Sequence, residues 1–382
     1  MNINFHYFLV KTLAIEAGLD ESTAQFLALT SEMVDDMTPD LFQGKRVESG
    51  NGQILKILVE QRPSAYFQER MMVFPGRVDG CYEFLPSVTS FTYTGALKDA
   101  TQFESVIPFH FYVDHYVPNP VDRSVLRTKP AVKGTDLYIS MDALVDQILE
   151  YQRKNNSGQR DKELLRFGML LHVFADTFAH AGFSGGHGWE NRVELLKVFG
   201  PTYEERGKTF LERVVGMGKS HTSYGHGQLA HLPDVCCMSY QYRCMEAEGD
   251  GFSKEILRCN KEVYEMCAGI IFEWFMRLSG REDETALRWE AIKDDIMRTA
   301  CMVSEEEDNL ESADRIAGIW ADNYFHDPNM VACLRYRMDE LFGQSVTREE
   351  DGQPVYRFTN PELFYLFNEV TYDFRNYVMG KY

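Results

Sequence analysis

The chain has 382 residues, of which 39 are Lys or Arg and 58 are Asp or Glu, so its formal net charge is −19. A surface with this excess of negative charge repels phosphate backbones, and extended nucleic acid is therefore not expected as a partner. The eight cysteines are scattered, with only Cys236 and Cys237 adjacent and no Cys-x-x-Cys pair. This spacing indicates reduced thiols and argues against a disulfide framework or a thiolate zinc site.

The N-terminal segment is amphipathic and does not look like a leader. It has no basic lead, and Lys11 interrupts the short apolar stretch from Phe8 to Val10, so we expect no secretory signal. Residues 5–17 place apolar side chains at three- and four-residue steps, which predicts a helix with His6 on its apolar face. No segment approaches the roughly 18 apolar residues of a spanning helix. We expect a cytoplasmic protein, unless the sequence is the mature part of an exported one.

A second helix follows. Asp20 or Ser22 is suited to cap it, and it extends to about Met37, where a proline follows two residues later. On the helical wheel Asp35 falls between small apolar residues, whereas Asp36 falls on the polar side. The pattern therefore predicts that Asp35 points inward and Asp36 outward.

The remaining pattern is mainly helical. Residues 80–95 are rich in aromatic and β-branched residues and predict a hairpin or extended excursion, and the prolines between Pro118 and Gly134 indicate an irregular connection. Helical patterns recur at about 140–153, 161–181, 203–217, 235–248, 253–279, 283–299, 304–323, 331–342 and 360–376.

No flexible linker or internal repeat divides the chain. We expect one large helical domain over residues 1–382, in which a metal-site core occupies about 1–235 and a C-terminal helical extension about 236–382. The fold class is mainly α, with the extended excursion near 80–95 as a small addition.

One helix carries the strongest chemical signal. From Phe167 to Phe183 the sequence FGMLLHVFADTFAHAGF is apolar all round and should be buried, yet it contains His172, Asp176 and His180. At 100° per residue these three groups lie about 40° apart and form one stripe. Burying a carboxylate and two imidazoles without partners would cost several kcal/mol. Something must therefore compensate for their burial.

Two interpretations of the stripe remain open. The first is a buried Asp–His hydrogen-bond network without metal. The second is metal binding, because His172 and Asp176 place two zinc ligands on adjacent turns. Since His180 lies about 12 Å along the axis from His172, the spacing favours more than one ion, with His180 on the second.

Other ligands must come from elsewhere in the chain. His110 lies in the apolar segment IPFHFY, where a packed histidine and a ligand are equally good interpretations. The loop SYGHGQLAHLPD holds His226, His231 and Asp234 among turn residues, and such a loop is suited to bringing ligands to a site. The weaker histidine candidates are His115, His187, His221 and His326.

Five segments together resemble an uncharacterised bacterial family, a domain of unknown function. They are FHYFLVKTLAIEAGL, MVDD, IPFHF, LHVFADTFAHAGFSG and GHGQLAHLPD, and they cover about the first 235 residues. More distantly, their order of histidines and carboxylates is similar to that of zinc-dependent phospholipase C and related single-strand nucleases. The resemblance implies a helical phospholipase C/nuclease-like bundle that holds three zinc ions and cleaves phosphate esters.

The resemblance also implies a ligand set, in which Asp35 is the bridging carboxylate or the residue that orients the attacking water. The ligands that it implies are His6, Asp35, His110, His172, Asp176, His180, His231 and Asp234, and the loop pattern adds His226 to this set. The pattern departs from those enzymes in three places: they use the amino group of an N-terminal Trp, their gap after the HxxxD pair is longer, and their last pair is His-x-x-x-Glu. A smaller or rearranged metal set is the expected result.

The leading functional hypothesis is a metal-dependent hydrolase of small phosphate esters that uses one to three zinc ions or other divalent metals. The alternative is a metal-stabilised scaffold or binding protein without catalytic activity. The ligand set would be the same in both cases, and an open coordination position facing a cleft would separate them. The sequence indicates neither the substrate nor the oligomeric state.

Overall fold

The structure of the chain is a computed structural model. The residues that it describes are 1–37, 46–48, 54–59, 81–84, 106–114, 120–186, 188–199, 225–229, 231–247, 251–303, 312–337, 341, 344–350, 352–358 and 361–379.

The described structure is mainly helical, as predicted from the sequence. A π-helix, Asn4–Leu9, opens the chain, and a second one, Ala321–Phe325, follows the eighth α-helix. The α-helices are α1 (Val10–Glu16), α2 (Glu21–Asp36), α3 (Ile107–His110), α4 (Asp136–Arg153), α5 (Ser157–Ala179), α6 (Asn260–Leu278), α7 (Thr285–Met302), α8 (Ala313–Trp320), α9 (Met330–Leu334) and α10 (Pro361–Met379). The helix predicted over 203–217 lies outside the described residues.

The strands form two sheets, and apart from the extended excursion near 80–95 the sequence pattern did not predict them. They are β1 (Arg46–Glu48), β2 (Ile54–Val59), β3 (Cys81–Phe84), β4 (Val193–Phe199), β5 (Ser239–Cys244), β6 (Ile256–Cys259), β7 (Gln344–Glu350) and β8 (Gln353–Phe358). One sheet has the order β3-β2-β1-β8-β7, and the other has the antiparallel order β4-β5-β6. Strand β3 provides the extended structure expected at 80–95, and residues 85–95 lie outside the described part.

The helix predicted over 235–248 is wrong. Residues 239–244 form β5, in which Tyr240 and Tyr242 are buried and the residues between and beside them are half-buried. This period of two is typical of a strand with one covered face, and aromatic side chains favour it. The next helix, α6, consequently begins at Asn260 rather than at 253, because Ile256–Cys259 pairs with β5.

The chain divides into two compact units, each assembled from segments distant in sequence. The first contains Met1–Glu32 and His110–Tyr336, and it includes the sheet β4-β5-β6. The second contains Met33–Phe109 and Arg337–Lys381, and it includes the five-stranded sheet. The expected arrangement of one domain with a core and a C-terminal extension stays a prediction.

The N-terminal π-helix is held by late elements of the first unit. The side chain of Asn4 donates to the carbonyl of Ala300 at 2.9 Å and accepts from Trp320 Nε1 at 2.9 Å. The ring of Phe5 packs edge-on against Tyr264, with 5.0 Å between centroids. These contacts anchor the helix directly before His6, which is fully buried. Single-turn π geometry is frequent at functional sites.

Helix α5 is buried over its C-terminal half and packs closely against α2. At Gly168, a Cβ atom would lie 1.8 Å from Thr30 Oγ1, so only glycine permits this approach. One turn later, His172 Nδ1 lies 3.0 Å from the carbonyl oxygen of Ser31 on α2. The close helix contact thus orients the first member of the ionisable stripe. Among the described helices, none has both the length and the apolar character needed to cross a bilayer.

Candidate metal centre

Asp176 is the centre of a cluster of buried polar groups in the first unit. Its carboxylate accepts from the amino group of Met1, and four imidazoles surround it. The distances from carboxylate oxygen to ring nitrogen are 3.3 Å to His6 Nε2, 3.0 Å to His110 Nδ1, 3.3 Å to His172 Nε2 and 3.7 Å to His180 Nδ1. This arrangement brings residues from the N-terminal π-helix, α3 and α5 to one carboxylate.

The first potential metal-binding group consists of His6, His172 and Asp176. One ligand atom of each lies within 4.8 Å of the others, and all three side chains are buried. The two imidazoles stack with 3.8 Å between centroids and an interplanar angle of 18°. Within the described residues, neither ring nitrogen of His6 makes a hydrogen bond of good geometry. Buried polar atoms are normally paired, so His6 fits a position in which an ion completes the bonding.

The protonation states of this group suit a cation. The pKa of His6 is lowered to about 3, mainly by burial and then by the neighbouring His172 and Met1 amino group, and Asp176 offsets only part of this lowering. Burial alone would raise the pKa of Asp176, but the Met1 amino group, His180, His172 and the His110 hydrogen bond hold it well below its usual value. Near neutral pH, His6 is therefore a neutral imidazole with a lone pair to offer, and Asp176 is an anion.

The second group consists of His180, His226 and Asp234. His180 Nε2 lies 3.2 Å from Asp234 Oδ1, and His226 Nε2 lies 3.5 Å from Asp234 Oδ2. The other ring nitrogen of His180 lies 2.5 Å from the carbonyl oxygen of His110, which orients the imidazole as a ligand requires. Burial would raise the pKa of Asp234, but His226, the Met1 amino group and His180 lower it strongly, so this carboxylate is also ionised.

The backbone around Asp234 is held by three buried residues. The hydroxyl of Tyr264 donates to the carbonyl of Asp234, and Asn260 Nδ2 donates to the carbonyls of Leu232 and Val235 at 2.6 Å and 2.7 Å. Arg258 in turn donates to Asn260 Oδ1 and to the carbonyl of Phe178, both at 2.9 Å. These hydrogen bonds connect the loop to the end of α5, so the loop ligand is positioned by the same helix that carries the stripe.

The two groups are adjacent. The Met1 amino group, which contacts Asp176, also lies 3.5 Å from Asp234 Oδ1, and His180 lies 3.7 Å from Asp176. They differ in exposure: the side chains of His6 and His172 are completely buried, whereas Asp234 and His226 are 12% and 18% exposed. The second group is thus the one that reaches solvent.

The remaining candidates lie in different places. His110 contacts both Asp176 and, at 3.4 Å, His172 Nε2. Asp35 is half-buried on the last turn of α2 and belongs to the second unit, so its proposed bridging and catalytic role stays a prediction. His231 is exposed at the start of the turn that carries Asp234, and the structure does not bring it into either group. His326 is also exposed, with its ring near the carbonyl of Asp322. Three further histidines lie outside the described residues: His115, His187 and His221.

Sequence reasoning missed three contributors to the site. The Ser31 carbonyl is a backbone group, which a search for ligating side chains does not consider, and the Met1 amino group was set aside because the chain has no N-terminal Trp. The hydroxyl of Tyr264 acts on a main-chain oxygen, and its position on α6 looks like ordinary helix core. The Gly168 close approach was the one available signal, because an isolated glycine within a helical pattern has a packing reason in many proteins.

Comparison with known proteins identifies the family of the chain. The chain matches a family of unknown function (DUF6765) across residues 1–382. It belongs to that family. The match extends well beyond the first 235 residues that carried the resemblance in the sequence. No curated protein and no solved structure matches the chain, so the likeness to phospholipase C rests on the order of its histidines and carboxylates alone.

Proposed function

We propose that this member of the family binds divalent metal ions, zinc being the expected one, and hydrolyses small phosphate esters. The observation that carries the proposal is the adjacency of two groups of potential ligands, the buried His6–His172–Asp176 and the partly exposed His180–His226–Asp234. Each group offers two imidazoles and one carboxylate within 4.8 Å. Such nitrogen and oxygen sets without thiolates are typical of catalytic zinc sites, which use three protein ligands and leave a position open.

The electrostatics of the cluster support cation binding. Two ionised carboxylates are buried side by side, and the nearby imidazoles include His6, which stays neutral far below pH 6.5. Like charges in a region of low dielectric constant repel each other strongly unless cations neutralise them. The Met1 amino group supplies one positive charge between Asp176 and Asp234. Divalent cations would supply the remainder.

The difference in exposure suggests a division of roles. His226 and Asp234 reach solvent, so a substrate would approach the second group, while His6 and His172 would hold an ion in a closed position. Bound divalent ions would stabilise negative phosphoryl oxygens and lower the pKa of a coordinated water to near neutrality. The chain's own contribution would be to orient His180 through the His110 carbonyl and Asp234 through Tyr264. Asp35 remains the proposed residue for orienting the water, and a phospholipase C/nuclease-like helical arrangement is part of the same proposal.

A metal-stabilised scaffold without catalytic activity is the second candidate. The complete burial of His6 and His172 favours it, because a closed site with all positions filled by protein is typical of structural zinc. Under this alternative the second group would also be filled, and His226 would contribute to stability rather than to turnover.

The first test is elemental analysis of protein purified without added metal, followed by assays on aryl phosphomonoesters and phosphodiesters. We expect at least one tightly held ion for each chain and a turnover that chelator abolishes and divalent ions restore. Less than about 0.2 ion per chain, with no uptake of added zinc, would overturn the metal proposal. Fully metallated protein without turnover would contradict the hydrolase and favour the metal-stabilised scaffold.

Two histidines of one loop provide a matched pair for the second test. His226→Ala should remove an ion ligand and lower metal content and turnover together. His231→Ala changes an exposed histidine five residues later, and it should leave both quantities unchanged. The reverse result would show that the loop presents His231 to the ion, as the resemblance implies.

A further inference from the structure

Cys236 and Cys301 lie in direct contact within the first unit, and neither belongs to the two potential metal-binding groups. Their Sγ atoms are 3.2 Å apart, and both are thiols rather than halves of a disulfide. Cys236 is buried just before β5, whereas Cys301 is half-buried in the last turn of α7. A disulfide requires an S–S distance of about 2.05 Å, so the sulfurs need to approach by only about 1 Å.

The surroundings distinguish this pair from other cysteines of the chain. Cys267 is fully buried, and burial raises the pKa of its thiol, which makes it unreactive. Cys244 is half-buried like Cys301, but its sulfur lies against Ser253 Oγ at 3.5 Å. The hydrogen bond from Cys236 lowers the pKa of Cys301 against the effect of burial, and Lys261 adds to the lowering. Cys301 therefore combines partial solvent access with a lowered thiol pKa and a second thiol in contact.

We propose that Cys236 and Cys301 form an oxidation site that closes reversibly to a disulfide in the presence of a peroxide. The thiolate of Cys301 attacks one peroxide oxygen, so that an S–O bond forms, the O–O bond breaks and hydroxide leaves to become water. The sulfur of Cys236 then attacks Cys301, forming the S–S bond and releasing the hydroxyl group, which takes the Cys236 proton and leaves as water. In sum, two thiols are oxidised to a disulfide and one hydrogen peroxide is reduced to two waters.

The disulfide would join two segments that position residues of the potential metal-binding groups. Cys236 follows Val235, whose carbonyl is held by Asn260 beside Asp234. Cys301 follows Ala300, whose carbonyl holds Asn4 and thereby the π-helix of His6. Oxidation would therefore fasten the segment of one potential metal ligand to the helix that anchors another, across 65 residues of chain.

The test uses the full chain as purified, treated with hydrogen peroxide or left untreated, then alkylated and digested without reduction. We expect a peptide that links Cys236 to Cys301, at least a tenfold drop in alkylation of Cys301, and reversal of both by a dithiol reductant. A link through Cys237, overoxidation of Cys301 to a sulfinic acid without a link, or unchanged alkylation would each overturn the proposal.

Variants make the assignment specific. Cys301→Ser should abolish the peroxide-induced link and the accompanying loss of two alkylatable thiols. Cys244→Ser, at a cysteine of similar exposure, should leave the link intact. Because the linked peptide is measured on the wild-type chain, a folding defect in Cys301→Ser would not conceal the result. Thiol connectivity is also independent of metal content and turnover, so the outcome here and that of the proposed function are separate.

Discussion

Gly168→Ala is the substitution whose effect follows most directly from the structure. The new methyl group would lie 1.8 Å from Thr30 Oγ1 and 2.9 Å from Thr30 Cβ. Thr30 has little freedom to rotate away, because its hydroxyl bonds to the carbonyls of Phe26 and Leu27 at 2.8 Å and 3.1 Å. Helices α2 and α5 must therefore move apart. Overpacking of this kind costs about 1–3 kcal/mol, and the higher helix propensity of alanine returns about 1 kcal/mol.

Gly158→Ala is the matched control, because it makes the same change in an exposed first turn of α5 with no atom within 4 Å of the new methyl group. It should stabilise by about 0.5–1 kcal/mol, while Gly168→Ala should give a net destabilisation of roughly 1 kcal/mol in chemical denaturation. Adding Thr30→Ala to Gly168→Ala should recover part of the loss, since it removes the closest atom. Equal stability of the two single variants would refute the close-packing argument.

Three further predictions concern the cluster. Asp176→Ala should lower metal content and melting temperature together, and a variant that keeps full metal occupancy would show that Asp176 is not a ligand. Removing metal from the wild-type chain with chelator should lower the melting midpoint by several degrees, because bound ions stabilise the native state by mass action; an unchanged midpoint after verified removal would contradict this. In metal-free protein, His6 has a folded pKa of about 3 against 6.5 when unfolded, so the unfolded state binds the proton first as pH falls. The contribution of His6 to stability should be constant above pH 6.5 and fall by about 3 kcal/mol between there and about pH 4.5, and His6→Gln should remove that part of the slope in denaturation curves.

The stripe on α5 was predictable because its signal is local. Apolar residues on every side identified a buried helix, and four-residue spacing then fixed the common direction of His172, Asp176 and His180. His6 was recognisable for the same reason. Residue spacing does not predict contacts between segments that are distant in sequence. Two such contacts are the stacking of His6 on His172 and the position of His226, rather than His231, beside Asp234.

The strands were missed for two reasons. The segment that became β5 is short, and its tyrosines occur at a spacing that a helical pattern also tolerates over six residues. The hairpin of β7 and β8 had a clearer turn signal, because Asp351–Gly352 is a dipeptide typical of tight hairpin turns and Gly352 adopts φ 72°. Applying the turn rule there would have predicted it.

The anchoring of Asn4 has a consequence for synthesis on the ribosome. Its partners Ala300 and Trp320 are 296 and 316 residues away, so the π-helix emerges long before either of them exists. Contacts of such separation form late, because the chain must close a long loop first. The helix that carries His6 would therefore lack these two contacts until most of the protein had been translated. A nascent chain that ends near residue 235 would already carry His172, Asp176 and His180, yet it would lack the two partners that anchor Asn4 and the helix of His6.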